Sequence, residues 1–471
     1  MIFFIASILL FLWVTYTGIE LRKATLATGV FLVTYMLIGN PSTIFISILW
    51  ILFGLLVSLN IPEFRRNYIT KRILDVYKAL LPKISQTEQE AIDAGNVWWD
   101  AELFTGNPNW ELLRSNPKAE LPTEEQAFLD GPVNELCEMI DEWKVAHRDY
   151  DLPQEVYDFV KEKGFFSFII PKEYGGLEFS PLGLIYVMAK VGSRSGTLAS
   201  MVGVPNSLGP AELLMHYGTD DQKNELLPKL ASGEHVPCFA LTGPYAGSDA
   251  TSMPDTGIVC KGEFEGEEII GIKLNFNKRY ITLAPIATLI GLAFKMYDPD
   301  QLIGENENYG ITCALLPKGT KGLKTGRRHI PIGSPFMNGT ITGEDVFIPL
   351  DYIIGGVEQA GQGWKMLTDC LAAGRATTLP AGAMSGAKSA LAVTGPYARA
   401  REQFGMPIAE FEGILEPLGR MAGNSYMITS SVSTTAMAIG AGEKPSVISA
   451  ILKYHTTELA RNIGMDAMDI H

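Results

Sequence analysis

The segment Cys238-Phe-Ala-Leu-Thr-Gly-Pro-Tyr-Ala-Gly-Ser-Asp249 decides how the rest of the chain is interpreted. Its apolar start, Phe239 to Leu241, predicts a short strand, and Gly243-Pro244 ends that strand. The small residues that follow would let backbone N–H groups and a hydroxyl approach a flat or phosphorylated ligand closely. Taken alone, the segment is equally compatible with an ordinary turn in a β-region, so the flanking sequence has to distinguish the two interpretations.

Alternating apolar and polar residues continue beyond this segment and predict a series of strands. The strands are expected at Ile258–Lys261, Glu268–Lys273, Tyr280–Thr282, Thr288–Phe294, Ile311–Leu316 and Asp345–Ile348. Turns rich in Gly and Asn separate them, and we therefore expect a small antiparallel β-domain or barrel over residues 238–356.

Helical signals lie on both sides of the predicted β-domain. Residues 121–237 contain a capping-box sequence at Thr123-Glu-Glu-Gln126 and helix starts at Ser180-Pro181 and Thr219. The helical period returns in residues 357–471. This order predicts an α+β fold with an N-terminal helical domain, a middle antiparallel β-domain and a C-terminal helical bundle. The last helix reaches His471 without a cap or breaker, so we expect that bundle to be incomplete.

Residues 1–60 predict a transmembrane helical anchor. The blocks Ile2–Gly18, Ala24–Gly39 and Ser42–Leu59 carry no charge, and each would extend about 24–27 Å as a helix, close to the thickness of a membrane core. The middle block is the weakest, which leaves two or three spans open. Basic residues at Arg22-Lys23 and over residues 65–72 predict an inner-membrane protein whose remaining chain faces the cytoplasm. Residues 61–120 are interpreted as a juxtamembrane helical linker.

Composition excludes several classes of function. The net charge of −14 argues against a nucleic-acid-binding protein, which would carry a basic face. The five cysteines form no C-x-x-C pair, a pattern typical of reduced thiols in the cytoplasm. The six histidines lack metal-ligand spacing, and we predict no metal site.

Six stretches in order make the chain similar to the acyl-CoA dehydrogenase family, from about residue 85 to the end. They are Pro171-Lys-Glu-Tyr-Gly-Gly176, Tyr217-Gly-Thr-Asp-Asp-Gln-Lys223, Phe239–Asp249, Tyr280-Ile-Thr282, Gly374-Arg375 and Arg401-Glu-Gln-Phe-Gly405. With its apolar N-terminus, the chain most resembles the membrane-associated bacterial members that act in fatty-acid β-oxidation. The resemblance implies bound FAD, a fatty acyl-CoA substrate, electron transfer to an electron-transfer flavoprotein or an equivalent acceptor, and a homo-oligomer in contact with membrane lipid.

The resemblance also implies roles for individual residues. Those that match flavin-lining positions in the same subunit are Phe239, Leu241, Thr242, Gly247, Ser248, Tyr280 and Thr282. Those that match a segment reaching the flavin of a partner subunit are Arg401, Gln403 and Phe404. Ser248 and Arg375 match positions near the acyl-CoA substrate. On residue type alone, Arg401 is equally explained as a solvated helix-end charge, and the two threonines as ordinary strand residues.

Three positions depart from the family pattern. Gly243 replaces the usual Glu, and Tyr280 stands where Trp is more frequent. Members of the family need a carboxylate that removes the α-proton. A minority carry it one residue before the arginine matched by Arg375, and here that residue is Gly374. We therefore expect the catalytic base beyond His471 and no catalytic residue within residues 1–471.

The resemblance leaves several alternatives open. An acyl-CoA oxidase-like or nitroalkane-oxidising flavoenzyme would share these motifs and would differ in how its reduced flavin reacts with oxygen. A DNA-associated stress protein on the same fold is disfavoured by the acidic charge. A non-catalytic flavin-fold protein at the membrane is the remaining interpretation.

Overall fold

The computed structural model describes residues 2–82, 84, 89, 96–207 and 209–471, except for the side chains of residues 2, 4 and 371–375. The chain forms two compact units, Met1–Ser85 and Gln86–His471. The domain boundaries expected after residues 60, 120, 237 and 356 stay predictions.

The first unit is helical. Its helices are α1 (Ile2–Thr17), α2 (Leu21–Ile38), α3 (Thr43–Ser58) and α4 (Lys71–Leu80), with a short turn of helix at Pro62–Phe64 and a π-helix at Arg65–Thr70. Among the described residues, α2 is long and apolar enough to cross a membrane, and 17% of it is buried. The α3 helix passes the same test only together with Pro62–Leu80, across a bend of 89°. The number of spans therefore stays a prediction.

The second unit begins with small helices, several of which pack around phenylalanine rings. They are Trp110–Arg114, α5 (Thr123–Asp130), α6 (Pro132–Glu138), Glu142–Lys144, α7 (Gln154–Glu162), α8 (Pro181–Arg194), α9 (Gly196–Gly203), α10 (Pro210–Tyr217) and α11 (Asp220–Ala231). Phe165 and Phe168 are fully buried, and the ring of Phe128 lies 5.1 Å and 5.5 Å from theirs. These rings supply much of the apolar area that holds the helices together.

A seven-stranded sheet follows the helices. Its strands are β1 (Pro237–Ala240), β2 (Thr256–Phe264), β3 (Glu267–Thr282), β4 (Leu289–Tyr297), β5 (Asn308–Pro317), β6 (Leu323–Arg328) and β7 (Asn338–Pro349). The order is β1-β4-β2-β3-β7-β6, and β5 pairs with the other edge of β4.

The prediction of an antiparallel domain is wrong for part of this sheet. Strand β4 runs parallel to β1 and to β2, while the remaining pairs are antiparallel. An alternating pattern defines which residues share a face, and it carries no information about the direction of the neighbouring strand.

Two predicted strands are parts of one. The segments Glu268–Lys273 and Tyr280–Thr282 both belong to β3, which continues through a bulge between Lys278 and Ile281. Strand β6 was not predicted, because its sequence LKTGRR is polar and largely exposed. Such a strand is held by its ladder with β7 and leaves no alternating signal.

Four long helices complete the unit. They are α12 (Gly363–Ala376), α13 (Thr378–Ala400), α14 (Glu412–Gly440) and α15 (Ser446–Ile470), and the hairpin of β8 (Glu402–Gln403) and β9 (Met406–Pro407) separates α13 from α14. Arg420 joins α14 to α15 through bonds of 3.0 Å and 2.7 Å to the carboxylate of Asp466. One buried cluster contains Val133, Phe294 and Val432, so the sheet and both helical parts share a core.

Of the helix N-caps predicted at Thr219 and Thr123, the first is confirmed and the second is wrong. Thr219 caps α11, and its side chain and that of Gln222 form a reciprocal capping box. The capping box predicted at Thr123 is absent, because Pro122 is the N-cap and makes no side-chain bond. Glu125 instead reaches the start of α8, where its two carboxylate oxygens accept bonds of 2.6 Å each from the backbone N and Oγ of Ser180.

We expect Glu125→Ala to lower the free energy of unfolding by about 1–3 kcal/mol, because it leaves the buried N–H of Ser180 without an acceptor. Glu124→Ala is the matched control, since Glu124 forms an exposed pair with Lys172 and such a pair contributes about 0–1 kcal/mol. Thermal unfolding of the purified variants measures both. Equal losses in the two variants would contradict this account of Glu125.

Candidate functional site

The turn after β1 lies against β3. Phe239 pairs with Gly291 of β4, and a Cβ on Gly291 would lie 2.4 Å from the Phe239 ring, so only glycine admits the ring there. Beyond β1, the backbone N of Arg279 donates to the carbonyl oxygen of Thr242 at 3.0 Å. The half-buried Leu241 and Thr242 are thereby fixed beside the end of β3.

The bulge in β3 presents an aromatic ring. Tyr280 has φ +57°, in the left-handed region, and its side chain is 53% exposed. The ring centroid lies 4.9 Å from that of His329 and 5.1 Å from the guanidinium carbon of Arg279. A left-handed aromatic residue inside a strand is strained, and such residues concentrate at functional sites. Thr282 follows on β3 and pairs with Asn338.

A fully buried ion pair lies beneath this turn. The Lys278 Nζ donates to Asp255 Oδ2 at 2.6 Å and to the Leu241 carbonyl oxygen at 2.9 Å. The other oxygen of Asp255 accepts from the backbone N of Asn277 at 2.8 Å. Burial lowers the pKa of Lys278, and the charge and hydrogen bond of Asp255 oppose that shift.

The loop after the turn is open. Gly247 and Ser248 are exposed, and the Ser248 hydroxyl makes no hydrogen bond to any part of the chain that the structure describes. The neighbouring Asp249 accepts from the hydroxyls of Ser252 and Thr251, and these bonds lower its pKa. Asp249 therefore shapes the loop, while Ser248 stays available to a ligand.

The remaining predicted residues lie elsewhere. Arg401, Gln403 and Phe404 form an exposed hairpin after α13, and Phe404, at φ +54°, is 95% exposed. Its one ring contact among the described residues is Phe411, at 6.2 Å. The structure thus does not bring this hairpin to β1 and β3, and its predicted role in a partner subunit stays a prediction. Arg375 belongs to α12, and its side chain lies outside the described residues.

The sequence reasoning missed Lys278, Asp255 and Arg279. One signal pointed to Lys278: it continues the buried positions Ile272, Leu274 and Phe276 of β3 in period two. A lysine at an inward position of a strand is exceptional unless it is paired. Asp255 and Arg279 had no comparable signal, because their partners come from distant segments.

The buried cysteines Cys238 and Cys313 are not candidate nucleophiles. Burial raises the pKa of the Cys238 thiol well above its usual range and that of Cys313 to about 12. A thiol in such surroundings stays protonated and unreactive. Among the described residues, no group of three or more His, Cys, Asp or Glu side chains could hold a metal ion.

The chemistry of the donors fits FAD. Within the described residues, Nε of Arg279 and Nε1 of Trp364 are buried without a hydrogen-bond partner. Trp364 packs against the same buried cluster as Phe239 and Leu241. Free N–H donors next to aromatic faces match a flat ligand rich in carbonyl and phosphate oxygens.

Comparisons with known proteins cover both the fold and the site. Three family models match: "Acyl-CoA dehydrogenase, N-terminal domain" at residues 123–234, "middle domain" at 238–346 and "C-terminal domain" at 361–471. The 3-(aryl)acrylate reductase of Clostridium sporogenes is 30% identical over 348 residues, which are 73% of this chain and 85% of that protein.

Other relatives are covered over less of their length. The probable acyl-CoA dehydrogenase FadE10 of Mycobacterium tuberculosis is 28% identical over 78% of this chain and 55% of its own. Protein HemX of Proteus mirabilis is 55% identical over 103 residues, 22% of this chain and 61% of its own. The chain thus spans between half and two thirds of these two relatives.

Solved structures share the fold. The butyryl-CoA dehydrogenase of Megasphaera elsdenii matches 74% of this chain and 88% of its own, with a TM-score of 0.65 and 24% identity. An acyl-CoA dehydrogenase of Bacillus anthracis, complexed with FAD, matches 76% of this chain and 62% of its own, with a TM-score of 0.65 and 23% identity. At these identities the likeness concerns the fold.

The left-handed backbone of Tyr280 can be tested by two substitutions that both remove the ring. We expect Tyr280→Val to be less stable than Tyr280→Asn by about 1–2 kcal/mol, because Asn tolerates the left-handed region and a β-branched residue does not. Thermal unfolding of the two variants measures the difference. Equal stabilities of the two variants would mean that the bulge changes conformation when Tyr280 is replaced. That result would contradict the claim that the backbone is strained at residue 280.

Proposed function

The chain belongs to the acyl-CoA dehydrogenase family, and from this membership we propose that it is an FAD-dependent oxidoreductase of fatty acyl-CoA. The reaction would convert a saturated thioester, of medium or long chain, into the trans-2-enoyl thioester in fatty-acid β-oxidation. The observation that carries this proposal is the meeting of the Thr242 turn with the Tyr280 bulge, through the bond from Arg279 N to Thr242 O. That juxtaposition brings together the Thr242 turn, the exposed ring of Tyr280 and Arg279, whose Nε is buried without a partner among the described residues.

The residues of this chain would bind and orient the cofactor. FAD, when bound, supplies the hydride acceptor. Thr242 and Thr282 offer hydroxyl donors to its ring, Tyr280 offers a flat contact surface, and Phe239 and Leu241 form the apolar floor. Ser248 would contact both the flavin phosphate and the thioester, and the Arg401–Phe404 hairpin would contact the flavin of a partner subunit.

Proton removal is proposed to depend on a group outside residues 1–471. Gly374, at the position where a minority of the family carries the base, has no titratable side chain. Arg375, the next residue, is proposed to lie near the bound thioester. The electrons would pass to an electron-transfer flavoprotein or an equivalent acceptor.

A second candidate function is the reduction of an acrylate. It is favoured by the relative that is 30% identical over 85% of its length, whose name is 3-(aryl)acrylate reductase. Both functions act on a carbon–carbon bond next to a carboxyl derivative, and they differ in direction. The bound flavin can be reduced chemically and then mixed with either acceptor. Reoxidation of the flavin by an arylacrylate, and not by an enoyl-CoA, would favour this second function.

The proposed function is tested with the chain purified in detergent and supplied with FAD. We expect a yellow protein whose flavin absorbance is perturbed by a saturated acyl-CoA and is not bleached by it, because we propose that the base lies outside residues 1–471. Gly374→Glu should gain slow anaerobic bleaching, because a carboxylate near the thioester can take the α-proton. Gly374→Gln is the matched control and should not bleach. If the purified chain retains no flavin, the proposal is refuted.

We further propose that the first unit anchors the chain in the inner membrane, in contact with lipid, with the second unit in the cytoplasm. Large apolar side chains of α2 support this: Leu26 and Leu37 are exposed, and the basic pair Arg22-Lys23 stands at one end. Such a surface is stable in lipid and unfavourable in water.

A chain anchored in this way should resist extraction from the membrane. We expect it to stay with the membrane fraction after high salt and after alkaline carbonate. Val30→Lys with Val33→Lys should release a large fraction, because each lysine at a helix centre costs about 2.5–3.5 kcal/mol of insertion free energy. Val30→Leu with Val33→Leu serves as the control. Release of the unmodified chain by carbonate would contradict the anchor.

A further inference from the structure

Lys278 occupies a position where a lysine needs a special reason. The inward residues of β3 before it are apolar, and Lys278 itself has no exposed surface. Its ammonium group is surrounded by Asp255 Oδ2, the Leu241 carbonyl oxygen and, at 3.9 Å, the sulfur of Met253. The three N–H donors of the ammonium group thus meet two oxygens and one weak acceptor in a fully buried site.

Stability alone does not explain such a pair. The desolvation of two buried charges roughly cancels their attraction, and well-packed apolar residues often do as well or better. The pair instead fixes the position of the backbone at the end of β1. Strand β1 ends at Ala240, so the Leu241 carbonyl has left the ladder and needs a donor, which Lys278 supplies.

Asp255 extends the same connection to two other strands. Its carboxylate accepts from Asn277 N in β3, and its backbone oxygen accepts from Lys295 N in β4 at 2.9 Å. Together, Lys278 and Asp255 therefore connect the end of β1 with β3 and β4 at one point. Of these segments, the end of β1 leads to Thr242, and β3 carries Tyr280.

Gly243 fits this arrangement closely. A Cβ there would lie 3.0 Å from the Asn277 carbonyl oxygen and 4.0 Å from Asp255 Oδ2. Any side chain at this position would therefore press on the Asn277 carbonyl oxygen, close to Asp255. Glycine at 243 and aspartate at 255 are thus compatible with each other in this chain.

We propose that Lys278 and Asp255 are a positioning pair that holds the Leu241–Gly243 turn at a fixed separation from the Tyr280 bulge. The part of this inference that concerns FAD rests on the proposed function. The pair touches neither the exposed face of Tyr280 nor the open loop at Ser248, and it acts through the backbone.

The test replaces both charges by apolar side chains of similar length, Lys278→Met with Asp255→Leu, in the whole chain. The double replacement leaves no unpaired charge, but it removes the donor of the Leu241 carbonyl and the acceptor of the Asn277 backbone N, so we expect the unfolding midpoint to fall moderately. Amide hydrogen exchange at Gly243 and Arg279 should rise about tenfold, because the turn opens locally. The dissociation constant of FAD should rise about tenfold, a loss typical of disturbed supporting contacts.

The control is Arg420→Met with Asp466→Leu, which removes an ion pair between α14 and α15, far along the chain from the turn. It should leave the exchange at Arg279 and the FAD affinity unchanged. If the Lys278/Asp255 double variant does not fold, Gly243→Ala decides, because its Cβ presses on Asn277 O and leaves the ion pair intact. It should give the same local rise in exchange and the same loss of affinity.

Two outcomes separate the inference from the proposed function. Exchange at Gly243 and Arg279 equal to that of the unmodified chain, in the variant that folds, would overturn the positioning role. Failure of the unmodified chain to take up FAD would refute the proposed function, and the exchange rates would still decide about the pair.

Discussion

The candidate site depends on how the chain satisfies its backbone carbonyls where it leaves the sheet. Strand β1 ends at Ala240, and the next two carbonyls have no ladder partner. Lys278 Nζ bonds the first and Arg279 N bonds the second. Buried carbonyl oxygens without donors are strongly unfavourable, so this turn is stable only beside β3. The ligand-facing surface follows from that requirement.

Much of the fold was accessible from the sequence, because apolar periodicity reports which residues face a core. The change from period 3.6 to period two after Cys238 locates the β-domain, and Thr219 marks a helix start. The pattern does not give strand direction, which is why the parallel pairing of β4 was missed. It also divided β3 in two, because Asn275 and Asn277 resemble the turn residues between strands although burial alternates through them.

The site was predictable only in part, for a different reason. Motif similarity identified Thr242 and Tyr280, which the structure brings to one surface. It did not identify Lys278 and Asp255: the period of β3 marks Lys278 as an inward residue, but no pattern in the sequence shows that Asp255 is its partner. Conversely, Arg401 and Phe404 belong to the same motif set and lie on a separate exposed hairpin. A linear motif therefore does not say which of its residues the fold brings together.

The parallel pairing of β1 with β4 has a consequence for how the protein acquires its cofactor surface. Residues 237–240 pair with residues 289–292, and the long β2–β3 hairpin lies between them in the sequence. A non-local pairing of this kind forms only after the loop between the strands has closed, at an entropic cost. During synthesis, a chain that has emerged only as far as β3 has no partner strand for Phe239, and it also lacks β7, against which β3 forms the Tyr280 bulge. The surface that would receive the flavin therefore comes into being late, when the sheet closes.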